Sequence, residues 1–226
     1  MFLLLFIFCS EAPRILPALT NRIVLIELFT EDGWDYCAAA GQSLNRLHEH
    51  YGDSLVIISY NHSCPPVLPQ IAERKQYYDI PIYPMLVFDG TDVLFEPNLN
   101  AYDSVFNQHI QVAKSFAPIF NLSLEGNATP SSGNLHIKIT PADTLHHDSV
   151  FAFVTVCEDS VLGDMGGRFN FVIRQFYTFP IDLIYPEELD TTITFSHSIP
   201  VDKMRGVLFV QDVQTKKVLQ AIKSKF

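Results

Sequence analysis

The chain has 226 residues, of which 48% are apolar and 18% are charged. This composition argues against intrinsic disorder and leaves room for one or two packed domains. The formal net charge of −10 argues against nucleic acid as a partner, because nucleic-acid binding requires a basic surface. It also gives no attraction to an anionic membrane surface.

The N-terminus carries a short apolar run, MFLLLFIF. The run is well below the ~20 residues needed to span a bilayer, and it is similar to the apolar core of a secretory signal. Ser10 and Ala12 follow it. Cys9 resembles the cysteine of a lipoprotein, although the bulky Phe8 fits that motif poorly. We interpret residues 1–20 as an export signal, with a buried strand or a misassigned start of the chain as alternatives.

The remaining cysteines are Cys37, Cys64 and Cys157. Three thiols leave one unpaired and cannot build a dense disulfide framework. The sequence has no CxxC, zinc-type Cys/His spacing, P-loop, GxGxxG, HExxH or GxSxG motif. No cofactor and no metal ion is therefore predicted.

Residues 21–116 alternate between strand-like and helix-like stretches. The predicted strands are Arg22–Thr30, Ser54–Asn61, Met85–Phe88 and Val93–Phe95, and the predicted helices are Tyr36–Glu49, Pro69–Tyr78 and Asp103–Lys114. The pair Asp89-Gly90 is a strong hairpin signal. Pro69–Tyr78 is predicted to be a charged, mostly exposed helix. The order βαβαββα predicts a mixed sheet covered by helices on both faces.

Residues 117–226 lack the helical period and predict a second domain. Short alternating or apolar runs predict seven strands: Phe120–Leu124, Leu135–Ile139, Val150–Cys157, Phe169–Phe176, Thr191–Ser196, Val207–Val210 and Val218–Ile222. Clusters of Gly, Pro, Asn and Asp separate them. This pattern is typical of a β-sandwich. Cys157 is predicted to be a core residue, and Arg174 to pair with Glu158 and Asp159.

The predicted element order matches the minimal thioredoxin fold, and two segments resemble that family directly. FTEDGWDYC, residues 29–37, aligns with the thioredoxin pattern of Phe, three residues, Trp and then CxxC. In this register Trp34 replaces the nucleophilic cysteine and Cys37 is the resolving cysteine. A competing register matches Trp34 to the family's Trp and leaves both cysteine positions empty. Pro84 resembles the thioredoxin cis-proline, with an ordinary strand-start proline as the alternative.

The C-terminal half is similar to the β-domain of a family of exported bacterial outer-membrane-type proteins. The segments that carry this resemblance are VCEDSV (156–161), FVIR (171–174), GVLFVQD (206–212) and VLQA (218–221). In that family a thioredoxin-like domain, often with a CxYC loop, precedes an immunoglobulin-like sandwich. The resemblance implies a cell-envelope location, often with a lipid anchor. Trp34 marks the departure from CxYC.

The chemistry of the loop depends on Cys37. A dithiol cycle needs a nucleophilic thiolate at the first position, which Trp34 cannot supply. The dipole of the predicted helix favours a Cys37 thiolate, but three nearby carboxylates oppose it. These carboxylates belong to Glu31, Asp32 and Asp35. A buried, protonated and inert thiol is therefore predicted.

An alternative pairs Cys37 with Cys64. The segment that contains His62 and Cys64 follows the second predicted strand, so it would open on the same rim of the sheet as Cys37. A disulfide, which requires Cα atoms within about 7 Å, would form a structural clip or an unconventional redox pair. Metal binding by these two cysteines and His62 is a further alternative.

The sequence therefore supports three hypotheses about function. The first is an exported protein of the periplasm, outer membrane or cell surface that binds an envelope protein or peptide without catalysis, through a groove. The groove residues would be Trp34, Tyr36, Tyr83, Pro84 and His62. The second is a thiol-disulfide oxidoreductase that uses Cys37 alone or with Cys64. The third is a structural part of a surface assembly. Independently of these three, a lipid anchor or peripheral association with the membrane is an open alternative for how the protein is held in the envelope.

Overall fold

A computed structural model describes residues 21–142 and 149–226. The predicted export signal lies outside this range, and so does the segment 143–148, whose His146 and His147 the sequence predicts to be exposed in a polar turn. The helices are α1 (Asp35–Tyr51), α2 (Pro69–Tyr77) and α3 (Tyr102–Lys114). The strands are β1 (Val24–Thr30), β2 (Leu55–Asn61), β3 (Met85–Phe88), β4 (Asp92–Leu94), β5 (Phe120–Ala128), β6 (Ser132–Pro141), β7 (Val150–Glu158), β8 (Val161–Leu162), β9 (Arg168–Phe169), β10 (Val172–Ile181), β11 (Leu189–Ser196), β12 (Met204–Asp212) and β13 (Val218–Lys225).

One sheet of eight strands runs through both predicted domains. Its order is β13-β12-β7-β10-β2-β1-β3-β4. The two halves meet where β10 pairs in parallel with β2, with Val172 opposite Ser59. The Ser59 N–H donates to the Phe171 carbonyl at 2.8 Å across this junction. The boundary at 116–117 stays a prediction, and the strands on either side of it share this sheet.

A second sheet, of order β11-β6-β5, covers one face of the C-terminal half. Its inward residues, among them Leu135, Ile137 and Ile139, pack against Val154 on β7 and Leu208 on β12. The alternation along β6, with every second residue buried, is the pattern expected of a strand with one face toward a core. This layer encloses its own apolar core.

The three helices cover both faces of the N-terminal half. Val24, Ile26 and Leu28 of β1 face a core that includes residues of α1 and α3. Leu25 and Phe29, which point the opposite way, pack in a core that includes residues of α2. Because β1 is buried on both faces, its sequence VLIELFT is apolar almost without interruption.

Glu27 is the exception in β1, and it is fully buried. The Arg74 guanidinium on α2 donates to both carboxylate oxygens, with Nη2 at 2.6 Å from Oε1 and 2.7 Å from Oε2. Tyr60 and Tyr78 donate to the same carboxylate at 2.8 and 2.7 Å. Gln211 of β12 accepts from Arg74 at 3.0 Å. The sequence predicted that α2 would be mostly exposed. Arg74 is an exception, because its guanidinium is buried against Glu27, Tyr78 and Gln211.

Several local predictions are confirmed. Strands β3 and β4 form the hairpin around Asp89-Gly90, and the Tyr83–Pro84 peptide bond is cis. Arg174 Nε donates to Glu158 at 2.8 Å, and Cys157 is buried. Asp159 pairs instead with Arg205, at 2.5 Å.

Within the described residues, every helix is too short or too polar to cross a membrane.

Breaking the buried pair tests its role in the fold. Arg74→Met leaves the Glu27 carboxylate buried without a cation, so we expect a loss of about 3–5 kcal/mol in the free energy of unfolding, measured in urea. Adding Glu27→Gln should recover part of this loss, because it removes the unpaired charge. The amide oxygen accepts from one tyrosine, and the amide NH2 donates to the hydroxyl of the other. Equal stability of the single and double variants would contradict this account.

The exposed Arg46–Asp103 pair provides the control, since its side chains are 56% and 51% exposed. Arg46→Met should cost less than about 1 kcal/mol in the same urea titration.

Candidate functional site

The start of α1 fixes the position of Trp34. The helix begins at Asp35, and Trp34 precedes it with extended backbone (φ −115°, ψ 126°). Gly33 has φ +86°, and a Cβ atom there would lie 2.4 Å from the Met165 Sδ atom. Glycine adopts this left-handed conformation without the strain that a side chain would bring, whereas the exposed Met165 side chain could move away from a Cβ atom. The Trp34 side chain, placed by this turn, is 58% exposed.

Trp34 lines a groove of about 500 Å³, which we term the rim groove. The lining residues are Glu31, Trp34, Tyr36, Pro81, Ile82, Tyr83 and Phe95. Four of the large apolar side chains, those of Trp34, Tyr36, Ile82 and Phe95, are each more than a third exposed. Exposed aromatic and aliphatic groups gathered in one concave site are typical of a binding surface.

Three of the five predicted groove residues line the rim groove, and two lie behind it. Pro84 is buried. The His62 ring packs on Tyr83 with centroids 5.4 Å apart, and Lys75 Nζ lies 4.5 Å from the centroid of the same Tyr83 ring. The pKa of His62 is lowered, mainly by burial of the ring and to a smaller extent by the positive charge of Lys75. His62 and Lys75 therefore support the Tyr83 side chain.

Cys37 lies in the first turn of α1 and is 1% exposed. Burial raises the pKa of its thiol above the ordinary 9.0, and the polar groups of the Thr30 side chain and the Glu31 backbone offset this only in part. The Glu31 charge raises the pKa further. The thiol is therefore protonated at neutral pH and has little nucleophilic character.

Cys37 and Cys64 are both free thiols. Cys64 is buried among Val161, Phe169 and Val172, where burial raises its pKa to about 12. Cys157 lies in the sheet core, and its pKa is also raised by burial to about 12.

In the described part of the chain, no three His, Cys, Asp or Glu side chains form a group that could hold a metal ion.

A second cleft, of about 370 Å³, lies on the other side of Trp34, between α1 and residues 167–171. We term it the helix cleft. Asp32 is among its lining residues, and its Oδ2 atom accepts from the Met165 and Gly167 amides at 2.7 and 3.1 Å. Glu31 and Trp34 line both the helix cleft and the rim groove.

Four residues that line the rim groove were not predicted from the sequence: Glu31, Pro81, Ile82 and Phe95. Ile82 precedes the predicted strand Met85–Phe88 and Phe95 ends the predicted strand Val93–Phe95, so the apolar character of both was a signal that could have found them. The role of Asp32 depends on residues more than 130 positions away, for which the sequence carries no local signal.

The fold has solved counterparts. HBP35 of Porphyromonas gingivalis is similar at a TM-score of 0.72 and 12% identity, over 91% of this chain and 76% of that one. A protein from Agrobacterium tumefaciens is similar at a TM-score of 0.60 and 14% identity, over 91% of this chain and 95% of that one. At these identities the likeness is one of fold alone. No protein-family model and no curated protein sequence matches the chain.

The raised pKa of Cys37 predicts its reactivity. In the folded protein at pH 7, iodoacetamide should label Cys37 far more slowly than an exposed thiol, with a rate that still rises above pH 9, because the thiolate forms only there. Mass spectrometry of the labelled peptides measures this. Ala38→Cys, on the exposed next position of α1, is the matched control. Equal labelling of the two positions at pH 7 would contradict the account.

The contact between Asp32 and Gly167 also predicts a mutational effect. A Cβ at position 167 would lie 2.4 Å from Asp32 Oδ1, so Gly167→Ala should cost about 1–3 kcal/mol of stability. Amide exchange at residues 163–169 should accelerate, measured by hydrogen–deuterium exchange. Gly41→Ala is the control, because its Cβ meets no atom within 4 Å and alanine favours a helix by about 0.5–1 kcal/mol. Unchanged exchange in Gly167→Ala would contradict the conclusion that Asp32 holds residues 165–167 in place.

Proposed function

We propose that the protein is an exported cell-envelope protein that binds a protein or peptide partner in the rim groove, without catalysis. In this proposal residues 21–116 are a degenerate thioredoxin-like domain and residues 117–226 an immunoglobulin-like β-sandwich. The observation that carries the binding function is the convergence of Trp34, Tyr36, Ile82 and Phe95, all exposed, on one groove of about 500 Å³.

The envelope location is supported by the apolar run of residues 1–8 and by the resemblance to exported outer-membrane-type proteins.

The chemistry of the loop favours binding over redox turnover. Trp34 has no thiol to attack a disulfide. Burial raises the pKa of Cys37, so Cys37 also lacks the thiolate that would resolve a mixed disulfide. An exposed tryptophan instead offers a large rigid contact surface of the kind that dominates binding energy at protein interfaces.

The rim groove can be tested with peptides selected from a phage-displayed dodecapeptide library. Binding of fluorescein-labelled selected peptides is measured by anisotropy. We expect Trp34→Ala to weaken binding at least tenfold, about 1.4 kcal/mol, because it removes the central apolar contact. In the unaltered protein, Trp34 fluorescence should shift on binding, and this signal is local because the sequence has one tryptophan.

Phe116→Ala is the matched control, since Phe116 is 48% exposed but lies outside the rim groove. It should leave peptide binding unchanged. Selected peptides that bind Trp34→Ala as tightly as the unaltered protein would refute the proposed function.

A further inference from the structure

The rim groove combines its apolar wall with an unpaired carboxylate. Glu31 lines both the rim groove and the helix cleft, and it is only partly exposed. Among residues 21–142 and 149–226, no Lys, Arg or His nitrogen lies within 4.0 Å of the Glu31 carboxylate. A half-buried carboxylate without a cation retains unused capacity for a charge-assisted hydrogen bond.

The neighbouring charges are already engaged. The Asp32 side chain accepts from three backbone amides, those of Gly33, Met165 and Gly167. Glu96 accepts from the Asn98 amide at 2.7 Å. Lys75, the nearby cation, lies over the Tyr83 ring and does not line the groove.

The surroundings of Glu31 are suited to a cation. Trp34, Tyr36 and Tyr83 line the same groove, and the faces of aromatic rings attract ammonium and guanidinium groups. The helix dipole places a partial positive charge at the start of α1, which would oppose a bound cation, but the Asp35 carboxylate in the first turn offsets it. The net charge of −10 favours encounter with a basic partner.

We propose that the rim groove selects peptide segments in which a lysine or arginine lies next to apolar side chains. The basic side chain pairs with Glu31 between the aromatic rings, and the apolar neighbours contact Trp34, Ile82 and Phe95. This specificity rests on the proposed function, because it assumes that a peptide occupies the groove.

The test selects dodecapeptides from the phage library on the unaltered protein and, in parallel, on Glu31→Gln. Lysine and arginine should be enriched in the first pool and lose that enrichment in the second. For one peptide of the first pool, replacing its basic residue with glutamine should weaken binding about tenfold, and Glu31→Gln should have a similar effect. Binding to the unaltered protein should weaken between 50 and 500 mM NaCl more than binding to Glu31→Gln.

Glu125→Gln is the matched control, because it removes one exposed carboxylate from β5, on the other sheet, and so changes the net charge equally. It should leave both the enrichment and the affinity unchanged. A pool that requires Trp34 but shows no basic enrichment, or one that Glu125→Gln alters as much as Glu31→Gln, would overturn the charge specificity alone. A pool that binds Trp34→Ala unchanged would overturn the binding function itself.

Discussion

The Glu27 carboxylate lies without any exposed surface in the middle of the sheet, and the surrounding elements are arranged to satisfy it. An unpaired charge at that depth would cost several kcal/mol, so α2 must place Arg74 directly against it. Gln211 on β12 joins the same network from the C-terminal half of the chain. The guanidinium carbon also lies 5.2 Å from the centroid of the Phe153 ring. The network around the Glu27–Arg74 pair therefore adds a polar link between the two halves, beside the pairing of β10 with β2.

This arrangement positions the rim groove. Once α2 is held against β1, the segment that follows it leads through Tyr83 to β3, with Lys75 of α2 against the Tyr83 ring. The pairing of β10 with β2 brings the loop around Met165 to the start of α1, where Asp32 holds it. Trp34 then projects between the rim groove and the helix cleft, and it belongs to the lining of both.

The same geometry separates binding from redox chemistry. A reactive cysteine at a helix start needs exposure and positive surroundings to hold a thiolate. Cys37 has neither, since it is buried and has a carboxylate neighbour, Glu31, whose charge opposes ionisation. The exposed side chain at this rim is instead a tryptophan, whose surface is available to a partner.

The sequence by itself determined the local structure. Continuous apolar runs predicted the strands buried on both faces, Asp89-Gly90 predicted the hairpin, and the context of Pro84 predicted its cis bond, because each signal depends on neighbouring residues. It also placed Trp34, Tyr36 and Tyr83 at one rim. Only the tertiary structure decided that Arg74 is buried, that β2 and β10 join the halves into one sheet, and that Ile82, Phe95 and Glu31 complete the groove. Those features arise from contacts between residues far apart in the chain, where burial, charge pairing and strand register are settled by the whole fold.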